Sequence, residues 1–448
     1  MSSPTDLSNT FVMQDVIIFD GKEFTENGFV VVTNGRIGRL GSGKAAVPKD
    51  TATYSKPGCT VVPGLIDAHV HALGGNVRSI EQSIRFGVTT ILDMHNEAEN
   101  NVSLKKPADD PSTKGKYADF KCAGLGAMVK GGWPEPVVRR VFEQAGKPEI
   151  AETLISAWPR LASADEASAF VQSQIDESGA SHIKLMHELG DTLSMPDLPR
   201  PPLDIQKAVV DAAHERGIIA VGQALSHAGT LDLLAAGVDG LAHCFLEKPP
   251  NDECIKTMKA KGTHCNPTLS LCASQTGQGA QLQRRFADDP LARRMLFDPR
   301  PSEDIGLACN SRHNASIENV YENTRAMYRA GVPLIVGSDA AGQAAGSAFG
   351  LGVHLEIYQM MHEIGMRPEE ALRRATSLTA ERFGFTDRGA IESGKLADLV
   401  LLEGDVRTAL ADEDVLCLPV SMVWREGVLA DVYNIPECRA TCLGLTRL

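Results

Sequence analysis

The chain has 448 residues, enough for two or three average domains or for one large barrel with an appendage. Its 43% hydrophobic and 23% charged content suits a globular protein, and a formal charge of −13 with a pI near 5.4 argues against nucleic-acid and anionic-membrane partners, which demand a basic surface. No apolar run reaches bilayer-spanning length, the opening segment Met1 to Asp15 lacks the basic and apolar regions of a signal peptide, and the ten cysteines are scattered without a Cys-x-x-Cys pair, so a cytoplasmic protein with reduced, mostly buried thiols is expected.

Residues 1–60 alternate short β-like runs with turns. Val16–Phe19 is followed by Asp20-Gly21, Gly28–Val32 by Asn34-Gly35, and Arg36–Leu40 comes next. Asp-Gly and Asn-Gly between apolar runs are hairpin signals. The same texture returns in Asp398–Leu402, Val420–Trp424 and Glu426-Gly427. Residues 1–60 and 391–448 are therefore expected to meet in one small β-domain.

The middle of the chain alternates strands and helices. Strand candidates are 61–68, 88–93, 120–128, 181–186, 217–224, 239–245, 264–270 and 333–339. Helical patterns fall at 76–86, 135–147, 165–178, 203–216, 229–236, 252–261 and 316–330, with 346–364 and 368–382 after the last strand. This order predicts an α/β fold, a (β/α)8 TIM-like barrel over residues 61–390 with its reactive groups at the C-terminal strand ends. A doubly wound sheet would need a switch point and usually a Gly-rich phosphate loop, and neither is found. The connections 96–118, 187–202 and 271–315 would lie on the reactive face as lids or pocket walls.

The chemistry begins at Pro63-Gly64-Leu65-Ile66-Asp67-Ala68-His69-Val70-His71. Strand alternation points His69 and His71 the same way, a pairing that suits a divalent transition metal. An isolated His-x-His is more often a satisfied strand-end pair, and a strand lysine such as Lys184 more often pairs with a carboxylate. The ordered set changes that balance: His69 and His71 on strand one, Lys184 on strand four, His243 on strand six and Asp339 on strand eight. A buried ammonium is costly and its pKa falls, which marks Lys184 further.

Together with Gly87-Val88-Thr89-Thr90, Ile183-Lys184-Leu185-Met186, Gly237-Val238-Asp239, Gly337-Ser338-Asp339 and Gly394-Lys395-Leu396-Ala397-Asp398-Leu399-Val400, these runs resemble the amidohydrolase superfamily. The resemblance covers essentially the whole chain and lies in the imidazolonepropionase-like, prolidase-like and ochratoxinase-like branch. The wording around Lys184 and Gly337-Ser338-Asp339 is most similar to fungal members. The resemblance implies a TIM-like barrel with a β-sandwich built from both chain ends. It also implies that His69, His71 and Asp339 hold one metal, with zinc the expected ion. A carbamylated Lys184 would bridge to a second metal held with His243, and Asp339 would act as the catalytic base.

One position departs from that pattern. Gln223 stands where the family expects a metal-binding histidine on the fifth strand, and the nearest imidazole, His227, reads better as a helix start. A glutamine oxygen is a weaker and harder donor, so a weakened two-metal site, a one-metal site and a replaced ligand all stay open. His187 and His95 are further candidates for contact with substrate. Histidines 182, 214, 264, 313, 354 and 362 receive structural or surface readings. The resulting expectation is a metal-dependent hydrolase of an amide bond in a small molecule, an N-acyl amino acid or dipeptide-like compound. The alternatives are a non-hydrolytic lyase or isomerase and a ligand-impaired binding protein. Symmetric self-association is common among such enzymes, although no patch in the sequence identifies an interface.

Overall fold

The structure is a computed structural model that describes residues 9–193, 195, 197–298, 315–342 and 348–434. It contains strands β1 (Phe11–Phe19), β2 (Phe24–Thr33), β3 (Arg36–Ser42), β4 (Ala52–Ser55), β5 (Thr60–Pro63), β6 (Leu65–Val70), β7 (Val88–Asp93) and β8 (Asp119–Cys122). These are followed by β9 (His182–Met186), β10 (Ile219–Gln223), β11 (Gly240–Ala242), β12 (His264–Asn266), β13 (Leu399–Leu402), β14 (Val420–Arg425) and β15 (Val428–Leu429).

Strands from both ends of the chain share one eight-stranded sheet in the order β15-β14-β13-β5-β1-β2-β3, with β4 on β1. The hairpin signals act as read. Asn34-Gly35 joins antiparallel β2 and β3 with φ of 50° and 76°, and Glu426-Gly427 joins β14 and β15 with φ of 48° and 74°. Positive φ at both turn residues matches the twist of paired strands.

The middle of the chain is mixed α/β. Its parallel strands form the sheets β6-β7-β8 and β12-β11-β10-β9. Isolated parallel bridges join Ala127 to Leu185, Cys265 to Leu334 and Val70 to Ala340.

The candidate strand 61–68 is in fact two strands. β5 belongs to the terminal sheet and β6 to the parallel set, with the break at Gly64. A Cβ at Gly64 would lie 2.1 Å from Thr89 Oγ1, so only glycine permits this crossing. Candidate 333–339 forms no named strand. It runs extended between β12 and β6, with Ile335 N donating to Cys265 O (3.0 Å), Asp339 N to His69 O (2.8 Å) and Ala68 N accepted by Val336 O (3.1 Å). Candidate 120–128 shortens to β8. The expected connection 96–118 carries the helix Ala98–Asp109, and 271–315 carries Ala280–Asp288 and Pro290–Met295.

The parallel strands bury two faces. Ile91, Ile183, Leu185, Ala220, Leu241, Leu334 and Val336 join the main core, while Leu92, Val221, Ala242 and Ile335 join Ile66, Ala68 and Met94 in a separate cluster with Leu378 and Phe383. The strict alternation explains why these runs are almost continuously apolar. It also places Lys184, between Ile183 and Leu185, on the face of the second cluster.

Asp119 braces the parallel strands against the terminal sheet. Its carboxylate meets the guanidiniums of Arg388 and, at 3.4 Å, Arg425 of β14, and all three side chains are buried. The seven described cysteines are free and buried; Cys309, Cys438 and Cys442, like His313, lie outside the described residues. Among the described residues no helix is long and apolar enough to cross a membrane.

Candidate metal centre

Five of the side chains singled out in the sequence converge. His69 Nε2 lies 3.3 Å from His71 Nε2, 3.4 Å from Lys184 Nζ and 3.4 Å from Asp339 Oδ1. Asp339 Oδ1 is 3.1 Å from His71 Nε2, and its Oδ2 is 4.0 Å from His243 Nε2. His69, His243 and Asp339 can each offer a ligand atom within 4.8 Å of the others. His69 and His71 come from β6 and the residue just past it, Lys184 from within β9, His243 from the residue after β11 and Asp339 from the end of the extended segment 333–339, so four stretches of chain are needed to build the group.

The local backbone explains how they meet. A register shift between Asp67 and Val70 in the β6–β7 pairing changes the phase of β6. As a result both imidazoles project together at the strand end, on the side that Ala68 faces lower down. His243 (φ 75°), Thr268 (φ 47°) and Asp339 (φ 56°) adopt left-handed conformations that side chains rarely accept. Such strain persists where the surroundings fix it, commonly at functional sites. Gly337 lets the last segment approach β6, since a Cβ there would sit 2.2 Å from Asn266 Nδ2 and 2.8 Å from His69 N.

Buried partners hold the group in place. Asp67 accepts from the backbone N–H groups of His69 (3.2 Å) and Ser338 (2.9 Å) and from the Ser338 hydroxyl (2.6 Å), coupling β6 to the segment that carries Asp339. Thr268 Oγ1 lies 2.8 Å from His243 Nδ1 and donates its own proton to Pro267 O at 2.8 Å. The threonine must then accept Nδ1–H, which leaves the His243 Nε2 lone pair facing the group. None of Asp67, Ser338 and Thr268 was assigned a role from sequence. Only Asp67 carried a signal, as the carboxylate two residues before His69.

The electrostatics favour a cation. Burial, reinforced by Lys184, His243 and His71, holds His69 well below the usual imidazole pKa, and its Nδ1 is buried without a partner among the described residues. Burial pushes Lys184 down to about 7 against the opposing pull of Asp339 and Asp93. At Asp339 burial acts upward, but the His71 hydrogen bond and the charges of His71, His243 and Lys184 outweigh it and keep the carboxyl below its ordinary value. Two imidazole nitrogens and a carboxylate oxygen thus crowd within 3.1–3.4 Å of one another. Lone pairs so arranged repel unless a proton or a cation lies among them, and this donor set fits a divalent transition metal.

The remaining candidates lie elsewhere. Gln223 ends β10, and because Val221 pairs with Lys184, alternation puts Gln223 on the lysine's side of the sheet one step further along. His227 opens the helix His227–Ala236 and packs edge-on against Phe245 at 5.2 Å, as a helix start does. His187, a candidate for substrate contact if the chain turns past the end of β9, keeps strand phase instead. Its Nε2 meets Asp232 at 3.0 Å and its Nδ1 faces Gln206 Nε2 at 3.2 Å, both carried by helices covering the outer face. Three residues past Lys184 the chain still keeps strand phase, so the ring points away. His95 is buried beside Trp158, its Nδ1 accepting from Gly126 N–H at 2.9 Å.

Comparison with known proteins agrees with this architecture. Over 411 residues the chain is 21% identical to the imidazolonepropionase of Thermoplasma volcanium, covering 87% of each chain. With the imidazolonepropionase of Nocardia farcinica identity reaches 32% over 116 residues, and that match spans 29% of the relative. The fold is similar to that of a Xaa-Pro dipeptidase with methionine bound in its active site (TM-score 0.69, 21% identity, 94% of this chain and 99% of that one). It is also similar to A. niger ochratoxinase (TM-score 0.68, 19% identity, 94% and 95%). The amidohydrolase family pattern matches residues 60–430, which contain every side chain of the converging group, and the chain belongs to the amidohydrolase family.

Proposed function

We propose that this protein is a metal-dependent hydrolase that cleaves a carbon–nitrogen bond, an amide of an N-acyl amino acid or dipeptide-like small molecule. The observation that carries the reading is Asp339, whose carboxylate oxygens lie 3.1, 3.4 and 4.0 Å from three imidazoles. The substrate class rests on likeness to the dipeptidase and the ochratoxinase.

His69, His71, His243 and Asp339 would hold the metal, with zinc the expected ion. A divalent cation there supplies Lewis acidity for the scissile carbonyl and lowers the pKa of water. Asp339 is ionised at neutral pH and partly open to solvent, at 12% side-chain exposure. It takes the proton of the attacking water and returns it to the leaving nitrogen. Thr268 and Asp67 hold His243, His69 and the Asp339 backbone in register. Lys184 is fully buried with its amine near neutrality, the state that adds CO2, and its carbamate would add an anionic ligand. Gln223, in place of an expected imidazole, favours one strongly held cation over two.

We also infer the finer architecture. The parallel bridges at Leu185, Leu334 and Ala340 support closure of the parallel strands into an eight-stranded barrel over residues 61–390. The mixed sheet drawn from both chain ends supports a composite β-sandwich domain over 1–60 and 391–448.

The test combines elemental analysis with a panel of N-acyl amino acids and dipeptides. The expected result is a bound divalent metal and amide hydrolysis that is lost on chelation and restored by zinc. Gln223→His should raise turnover by orders of magnitude by completing a second metal position. Metal-replete protein that leaves every amide intact, or turns one over without adding water, overturns the reading.

A further inference from the structure

His95 holds a hydrogen-bond donor that the fold does not use. The residue lies two positions past the end of β7, its backbone N–H bonded to Asp93 Oδ1 at 2.9 Å, and it is only 7% exposed. Its ring stands edge-on to Trp158 at a centroid distance of 5.2 Å, and Trp158 is itself anchored through Nε1–H to Glu97 at 3.1 Å. Nδ1 accepts the Gly126 backbone N–H at 2.9 Å. A neutral imidazole that accepts at Nδ1 carries its proton on Nε2. That Nε2 is buried and has no partner among the described residues.

Buried polar groups are normally paired, and one left unpaired calls for an explanation. Protonation does not provide it. Burial, aided by the charges of His71 and Lys184, pushes His95 down to about 3, so the ring is neutral at any working pH. The backbone sets the ring's neighbourhood: Met94 N–H donates to Val70 O at 3.0 Å and Ala72 N–H to Asp93 Oδ2 at 2.7 Å, so His95 leaves β7 beside the strand end that carries His69 and His71. A rigid neutral donor of fixed tautomer, next to a site that handles carboxyl derivatives, is suited to an oxygen acceptor on a ligand.

We propose that His95 Nε2–H binds the substrate, receiving a carbonyl or carboxylate oxygen and setting the orientation in which the amide meets the metal centre. The assignment rests on the hydrolase reading above, and its test separates the two. In protein labelled with 15N-histidine, His95 should show a protonated Nε2 and a bare Nδ1. Adding benzamide, which offers only a carbonyl, or benzoate, which offers a carboxylate, should move the Nε2–H resonance, and the probe that moves it identifies the acceptor. His95→Asn keeps an acceptor for Gly126 and removes the outer donor, whereas His95→Gln reaches the position of Nε2 with an amide N–H.

On the N-acyl amino acid panel, His95→Asn should lose roughly 10–100-fold in kcat/KM, mostly through KM, with unchanged metal content, and His95→Gln should recover part of the loss. A proton found on Nδ1, or an Nε2–H signal that neither probe moves, overturns the assignment, as does a KM unchanged in His95→Asn. Should His95→Asn fail to fold, the spectrum of the unmutated protein still decides. If the unmutated protein cleaves no amide while the resonance still moves, the hydrolase reading fails and the donor assignment stands.

Discussion

The burial of Lys184 has a thermodynamic signature that does not depend on turnover. Its amine has an ordinary pKa of 10.5 and is pushed down to about 7 in the fold, burial outweighing the attraction of Asp339 and Asp93. Folding therefore expels a proton wherever the pH lies between those two values. A depressed folded-state pKa costs nothing above the unfolded value; the cost grows as pH falls toward 7 and then levels off. Each pH unit in that window is worth about 1.4 kcal/mol, which makes the full cost about 5 kcal/mol and the part relieved between pH 7 and 9 about 2 kcal/mol. Lys184→Met keeps the unbranched stem and removes the ionisation. Urea unfolding of chelator-treated protein in CO2-free buffer, at pH 7, 8 and 9, should show the variant more stable at pH 7. That advantage should shrink by about 2 kcal/mol at pH 9. Restoring bicarbonate and zinc should reverse the order, because only the lysine can become an anionic ligand. Parallel pH profiles for the two proteins would refute the argument that a desolvated ammonium sits among the imidazoles.

Two further outcomes follow from the packing around the site. Thr268→Val removes the acceptor that fixes the His243 tautomer at almost constant shape, and competition with a chelator should show metal affinity reduced roughly 10–100-fold; unchanged affinity would mean that His243 is not a ligand. Asp119→Asn leaves the buried guanidiniums of Arg388 and Arg425 without their carboxylate, and the urea midpoint should report a loss of about 3–5 kcal/mol. Burial acts upward on Asp119, but Arg388, Lys121 and Arg425 outweigh it and hold the carboxyl well below 3.8, so its contribution is present above pH 3.8 and is lost as pH falls through the lower value.

The parts of the site legible in the sequence are those whose residue type contradicts its surroundings. A lysine between Ile183 and Leu185, or histidines closing the apolar run of β6, must be buried if the strand is buried, and an unpaired buried charge is too costly to be accidental. The alternation that carries Leu92, Val221, Ala242 and Ile335 to one face then sets the direction of Lys184. What alternation does not encode is a change of phase. The register shift within β6 brings His69 and His71 to the side that Ala68 faces, and positive φ turns His243 out of the sequence begun by Leu241 and Ala242. His187 is the opposite case, since it simply keeps strand phase past the end of β9.

The supporting residues were hidden for a different physical reason. Thr268, Ser338 and Gly126 are ordinary residues in sequence, and each acquires a role only because chain from elsewhere arrives within hydrogen-bond distance. Thr268 lies 25 positions from His243, Ser338 lies 271 from Asp67 and Gly126 lies 31 from His95. Ligand type is a property of one side chain and can be read locally, whereas the tautomer of an imidazole depends on a partner that only the fold supplies. The two rings so fixed are set oppositely. His243 donates through Nδ1 and turns a bare Nε2 to the metal group, while His95 accepts through Nδ1 and turns an Nε2–H outward. One arrangement is suited to a cation and the other to an oxygen, so under the proposed reading two histidines that look alike in the sequence would divide the binding of metal and carboxyl group between them.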